Sequence, residues 1–247
     1  LSDEEKQKLT LKDGLYYGKG DRIFMPFGSL NLRRSILNDF HNLLAGHISK
    51  DAMYLLVKKY FFWPDFNKDA KFVIYNCITC KKIKSYASKP VIESSTASTH
   101  PLGKVEIDTL YLYPDENGKR FLFVVTDTFT RYTWLYPAKY NNSKEAAMSL
   151  YSTVFSSAGI PEVIQSDNGS EYSNAIVKNF LKLLDVGEHH IMPYHPQANG
   201  IVENRNRQII RHLRLLLLSK IYANNNWDIM IPMLSYIINN TVNTSTG

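Results

Sequence analysis

The chain reads as an α/β protein, with a mixed sheet covered by helices on both faces in its C-terminal part. A small helical unit precedes that sheet, and a short α+β segment precedes the helices. Three observations predict this. From Lys104 onward the pattern runs strand, strand, strand, helix, strand, helix, strand, helix, which implies three antiparallel strands followed by alternating helix and strand. Between Leu30 and Asn76 the apolar residues recur with helical period. With 247 residues, 44% hydrophobic and 13% aromatic, the chain can bury one large core or two smaller ones.

Residues 1–12 read as a polar helix. Asp13-Gly14 introduces Leu15-Tyr16-Tyr17, and the turn Gly18-Lys19-Gly20-Asp21 leads into Arg22-Ile23-Phe24-Met25, a β-hairpin ended by Pro26. Helical periodicity starts near Leu30, with Leu32, Ile36, Leu37 and Phe40 on one face, and leads to His41. Ser49 caps a second helix through Leu55, Leu56 and Val57, stopped at Trp63-Pro64, and a third occupies about Asn67 to Asn76.

His41 and His47 have 5 residues between them, Cys77 and Cys80 have 2, and 29 residues separate the pairs. That gap is long enough for the two intervening helices to bring both half-sites together. Four protein ligands satisfy tetrahedral zinc and leave no open position for water, so such an ion would be structural. The alternative is helix-capping histidines and small buried cysteines. The sole C-x2-C of the chain lies one helical hairpin from an H-x5-H pair, which favours the metal. Two cysteines are too few for a secreted disulfide scaffold.

From Lys81 to about Leu102 the pattern lapses: a basic start, then Pro90 and Ser94-Ser95-Thr96-Ala97-Ser98-Thr99, an extended linker. Its lysines suit either a solvated surface or a phosphate backbone. The net charge of +6 and pI near 9.1 suit an anionic partner without identifying one. No apolar run reaches the roughly 18 residues that span a bilayer, and a membrane role is not expected.

Strands are predicted at Lys104–Leu112, Phe121–Thr126 and Tyr132–Tyr136. Asn142 opens a helix, with Glu145 as a capping-box partner, that ends at Gly159-Ile160-Pro161. Glu162–Ser166 is a short strand leading into Asp167, Ser173 caps a helix ending near Asp185-Val186-Gly187, and His189-His190-Ile191 is the last strand. This layout puts Asp108 on the first, central strand, Asp167 after the fourth strand, and Glu203 at the start of a helix.

Acids at strand ends and a helix start can converge on one edge of such a sheet. Oxygen-only ligands select Mg2+ or Mn2+, and two such ions suit in-line phosphoryl transfer. Taken singly each acid has an ordinary reading. Asp108 could be a solvent-facing strand residue, Asp167 an Asx turn with Asn168-Gly169, and Glu203 half of an i,i+4 pair with Arg207. The helix changes the balance. Glu203, Arg207, Arg211 and Arg214 share one face, while Ile209, Ile210, Leu213, Leu216 and Leu217 occupy the other, and a basic row beside a metal-binding acid suits nucleic acid.

Asp108, Asp167 and Glu203, with 35 residues between the last two, join His195-Pro196-Gln197-Ala198-Asn199-Gly200-Ile201-Val202-Glu203 and the His-His-Cys-Cys set. Together they resemble a retroviral-type integrase, most similar to those of gypsy-class long-terminal-repeat retrotransposons, with a yeast element expected. Leu44-Ala45-Gly46-His47, Tyr60 to Pro64, Cys77-Ile78-Thr79-Cys80 and Asn243 to Gly247 also match that class.

The resemblance implies an RNase H-like catalytic core preceded by a helical zinc-binding domain and an N-terminal extension. The expected bounds are 1–36 for the extension, 37–84 for the zinc domain, 85–102 for the linker and 103–247 for the core. Asp108, Asp167 and Glu203 would be catalytic and hold two Mg2+ or Mn2+ ions; His41, His47, Cys77 and Cys80 would hold one structural Zn2+. His195, Gln197, Asn199, Arg207, Arg211 and Arg214 would contact DNA.

Such enzymes trim the 3′ ends of retroelement cDNA and join them to target duplex DNA. The implied setting is a homo-multimer, a tetramer, in a cytoplasmic virus-like particle and then the nucleus, guided by host chromatin or transcription factors. Two departures stand. The H-x5-H spacing is one residue shorter than the common gypsy-class pattern, and family members continue past Gly247 into a basic C-terminal domain, so a longer parent protein is expected. A domesticated, non-catalytic DNA-binding relative is the alternative function.

Overall fold

The computed structural model describes residues 9–18, 20–42, 46–83, 98–166, 178, 181–182, 184–190, 200–218 and 226–241, with only the backbone of 188–190 and 200–204. Among the described residues, 9–83 together with 240–241 form one compact unit and 98–239 form the other.

In the first unit β1 (Thr10–Lys12), β2 (Leu15–Gly18) and β3 (Arg22–Phe24) form an antiparallel meander. Thr10–Lys12 is therefore strand, where a polar helix is predicted. The reason is the two-residue turn Asp13-Gly14, with φ of 50° and 76°, which pairs Lys12 with Leu15. Asp-Gly at two left-handed positions matches the twist of the flanking strands, so the segment before it becomes a strand. The predicted hairpin across Gly18–Asp21 forms, with Tyr17 opposite Ile23.

Helices α1 (Leu30–His41), α2 (Lys50–Val57) and α3 (Phe66–Asn76) follow, where periodicity and the Ser49 cap predict them, but α2 stops at Val57 and not at Trp63-Pro64, because Phe61-Phe62 is drawn into pairing with β3. The Ser49 hydroxyl accepts from Ala52 N at 3.3 Å. Between α2 and α3 lies β4 (Phe61–Phe62), parallel to β3 and too short to show a period. Leu37, Met53, Val57, Trp63, Ala70 and Val73 form the core of this unit. Within it Asp69 accepts from Trp63 Nε1 at 3.1 Å and pairs with Arg33 Nε at 3.1 Å. A short α4 (Ile78–Ile83) then takes up Lys81-Lys82, which were predicted to begin the linker. Residues 84–97 of that linker lie outside the described residues.

The second unit contains β5 (Val105–Tyr111), β6 (Phe121–Asp127), β7 (Thr133–Ala138), α5 (Ser143–Ser149), β8 (Val163–Ser166), β9 (Gly187–His190), α6 (Gly200–Leu218) and α7 (Ile231–Asn240). Its strand order is β7-β6-β5-β8-β9, antiparallel across β7, β6 and β5 and parallel across β5, β8 and β9. The mixed α/β sheet and its central first strand match expectation.

Alternation sorts the side chains. Val105, Ile107, Phe123, Val125 and Ile164 pack against Ala146, Leu150 and Val154 on one face. Leu122, Val124 and Leu135 pack against Ile209, Leu213, Leu234 and Ile238 on the other. Asn142 caps α5, its Oδ1 accepting from Glu145 N at 3.0 Å; the helix continues as a π-helix over Leu150–Phe155 and stops before Gly159, whose φ is +113°. The predicted cap Ser173 lies outside the described residues. No helix among the described residues is long and apolar enough to cross a membrane.

Candidate metal centre and candidate active site

The helix α1 delivers His41 at its last turn, and the segment behind it turns back through Gly46 and His47 at φ of 66° and 54°. A left-handed conformation is easy for glycine and costs a histidine about 1 kcal/mol, which only a firm contact repays. That contact is the meeting with Cys77, just past α3, and Cys80 in α4.

Cys80 Sγ lies 3.3 Å from His41 Nε2 and 3.7 Å from His47 Nδ1, Cys77 Sγ lies 3.3 Å from His47 Nδ1, and the two ring nitrogens are 3.4 Å apart. All four ligand atoms fall within 4.8 Å of one another. Bonds of about 2.0 Å to nitrogen and 2.3 Å to sulfur give tetrahedral edges of roughly 3.3–3.8 Å, so the four separations of 3.3–3.7 Å fit one zinc ion, and the widest in the set need close by only about 1 Å.

The chemistry around the cluster points the same way. His41 Nδ1 lies 3.0 Å from the Ile48 carbonyl, which can only accept; the proton is therefore on Nδ1 and the Nε2 lone pair faces the cysteines. Cys80 N points at Cys77 Sγ at 3.5 Å, a donor suited to a thiolate. His41 and Cys80 are buried and Cys77 is half-buried.

In the second unit Asp108 sits on β5 opposite Val124 and faces α6. It is half-buried, not solvent-facing. Its Oδ1 accepts from Thr109 N at 2.8 Å, and its Oδ2 accepts from Asn206 Nδ2 at 2.6 Å. Asn206 lies three residues after Glu203 on the same helix, and its own Oδ1 is buried with no hydrogen-bond partner among the described residues. An unpaired acceptor beside a carboxylate is a place where a hard cation or its water fits. Sequence reasoning missed Asn206; its one-turn spacing from Glu203 was the available signal.

Asp167, His195, Gln197 and Asn199 lie outside the described residues, and Glu203 is described by its backbone alone, in the first turn of α6. Arg211 and Arg214 are exposed and Arg207 is half-buried, while Ile209 and Leu213 are buried beneath them, as the predicted two faces require. Ile210, expected on the apolar face, is only half-buried.

Two more charged groups lie on the α6 side of the sheet. Arg205 is 7% exposed, and its guanidinium donates to the Arg131 carbonyl and to Gln208 Oε1. Burial, helped by the Arg131 charge, lowers its pKa to about 10. Glu106, two residues before Asp108, is 2% exposed, and burial pushes its carboxyl up to about 7 against the opposing influence of Lys104, Arg131 and the Gln165 hydrogen bond. The helical phase of Arg205 with Ile209 and the strand phase of Glu106 with Asp108 were the signals for both.

Residues 29–86 match the family model described as Integrase zinc binding domain, and residues 98–196 match that described as Integrase core domain. The Pro-Pol polyprotein of Simian foamy virus type 3 is 29% identical over 229 residues, covering 92% of this chain and 19% of that protein. The Transposon Tf2-3 polyprotein of Schizosaccharomyces pombe is 26% identical over 255 residues, 100% of this chain and 19% of its own length. The chain thus spans about a fifth of these curated relatives.

A solved simian T-cell lymphotropic virus intasome, in complex with PP2A regulatory subunit B56 gamma, shares the fold. Its TM-score is 0.55 at 21% identity, covering 83% of this chain and 69% of that one. With the four-ligand cluster upstream and the mixed sheet downstream, the chain is similar to an integrase-type zinc-binding domain followed by an integrase core.

Proposed function

We propose that this chain is the catalytic part of a retroelement integrase, which trims the 3′ ends of a linear cDNA and joins them to target duplex DNA by phosphodiester transfer. The reading is supported most by one observation: Asp108, on the central strand, accepts a 2.6 Å hydrogen bond from Asn206 on the same helix that carries Glu203 in its first turn. Expected domain bounds are 1–36, 37–84, 85–102 and 103–247, and the parent element is of the gypsy class, from a yeast.

His41, His47, Cys77 and Cys80 would hold one Zn2+ that ties α1 to α3 and α4. Asp108, Asp167 and Glu203 would hold Mg2+ or Mn2+. When bound, a pair of those ions supplies activation of the attacking oxygen and charge stabilisation at the leaving one.

The chain's own residues do the rest. Thr109 N and Asn206 hold the Asp108 carboxylate in one rotamer, so that its position is set before substrate arrives. The buried Arg205 anchors the first turns of α6 to the β6–β7 turn through the Arg131 carbonyl. Arg207, Arg211 and Arg214 present cations to the phosphate backbone. His195 positions its loop, and Gln197 and Asn199 donate to DNA near the scissile bond. The nucleophile is water during trimming and the new 3′ hydroxyl during joining.

The two DNA ends require more than one active site, so the working form is a homo-multimer, a tetramer, assembled in a virus-like particle and acting in the nucleus, with host chromatin or transcription factors directing it. The test is Glu203→Gln. It abolishes Mg2+-dependent strand transfer and leaves DNA binding within about twofold. Robust joining by the variant contradicts the catalytic assignment.

A further inference from the structure

We infer that Glu106 and Gln165 form a buried clamp whose task is to hold the strand carrying Asp108 in register with the strand that leads into Asp167. The inference rests on the reading of those acids given above. Gln165 Nε2 donates to Glu106 Oε1 at 2.8 Å, and Lys104 Nζ donates to Gln165 Oε1 at 3.3 Å. Glu106 is 2% exposed and Gln165 4%. Both ends of the amide are therefore engaged, and its orientation is set.

Glu106 and Gln165 face each other across the parallel β5–β8 pair, which consists of Val105 with Ile164, Glu106 with Gln165 and Ile107 with Ser166. Asp108 lies two residues beyond Glu106 on the same face of β5, and Asp167 lies two residues beyond Gln165 in sequence. Parallel pairing uses slanted backbone bonds and is the weaker kind, and this ladder is only three residues deep.

A slip of one residue would turn Gln165 to the opposite face and leave the Glu106 carboxyl buried without its donor. The side-chain bond thus penalises every register but one. An isolated carboxylate on an apolar strand would be a costly residue with no purpose; a carboxylate whose only described hydrogen bond crosses to β8 fixes strand position. Glu106 and Gln165 are positioning residues, since neither is placed to touch DNA.

The test separates position from charge. Glu106→Gln removes charge but keeps an acceptor for Gln165, whereas Glu106→Met removes charge and acceptor at similar volume. Binding of Mn2+ to the full chain is measured by electron paramagnetic resonance, with Asp108→Asn as the reference for loss of the site, and circular dichroism reports folding. Glu106→Gln should bind Mn2+ within threefold of the parent and Glu106→Met at least tenfold more weakly. Gln165→Met, which removes the donor instead, should match Glu106→Met and serves where the latter does not fold. Equal affinities for Glu106→Gln and for the folded methionine variants overturn the clamp. A parent that binds Mn2+ no better than Asp108→Asn overturns instead the metal reading on which the clamp depends.

Discussion

Asp69 is buried, with Arg33 Nε at 3.1 Å and the Trp63 indole donating to the same oxygen. Removing that carboxylate leaves a guanidinium in the core of the first unit. Asp69→Leu should therefore cost about 3–5 kcal/mol in urea unfolding, and a cost under about 1 kcal/mol would show that Arg33 finds water instead. Glu106 behaves differently because its pKa is raised, to about 7 from 4.5. The folded state keeps a proton that the unfolded state releases, so this group's contribution is present below pH 4.5 and is lost as pH rises to about 7. With divalent cations chelated, the parent should lose about 2 kcal/mol relative to Glu106→Gln between pH 5 and pH 8. Parallel pH profiles of the two proteins would refute the raised pKa. At this scale the zinc-type ligands were legible, because their spacing is a local property of the chain. Asn206 and Gln165 were not, since each acquires its role only from a partner 98 or 59 residues away.

Among the elements, α1, α3 and α4 meet at the His-His-Cys-Cys cluster at their ends, so an ion held there would fold together with the helices. Cys77→Ser should release about one zinc per chain, and the helical signal of the first unit should fall with it. Zinc-free parent protein with full helicity would contradict this. Arg211, exposed on α6, should act through phosphates: Arg211→Ala weakens binding to all duplexes alike and lowers the salt slope by about 1. A sequence-selective loss would mean that it reads bases. The strongly periodic helices were legible, as were the strands of the central sheet. Thr10–Lys12 was misread because its strand character comes from the Asp13-Gly14 turn and not from its own polar residues. β4 was missed because Phe61-Phe62 is too short to alternate, and α7 carries no motif to announce it.

For the whole molecule, each unit supplies a different chemistry. The first unit brings four soft and borderline ligands to a point, and the second lays a basic helix across a sheet whose central strand carries an acid. The fold class was legible because strand and helix periods alternate cleanly from Lys104 onward. The site was legible only as a list of residues, because burial of Glu106 and Arg205 and the Asn206 contact arise from packing α6 on the sheet. The most direct measurement of the central claim is strand transfer by the parent chain with a labelled oligonucleotide carrying a recessed 3′ end. Joined products are expected with Mg2+ present and none when it is withheld. DNA binding without joining in Mg2+ or Mn2+ would contradict that claim and leave a non-catalytic DNA-binding protein.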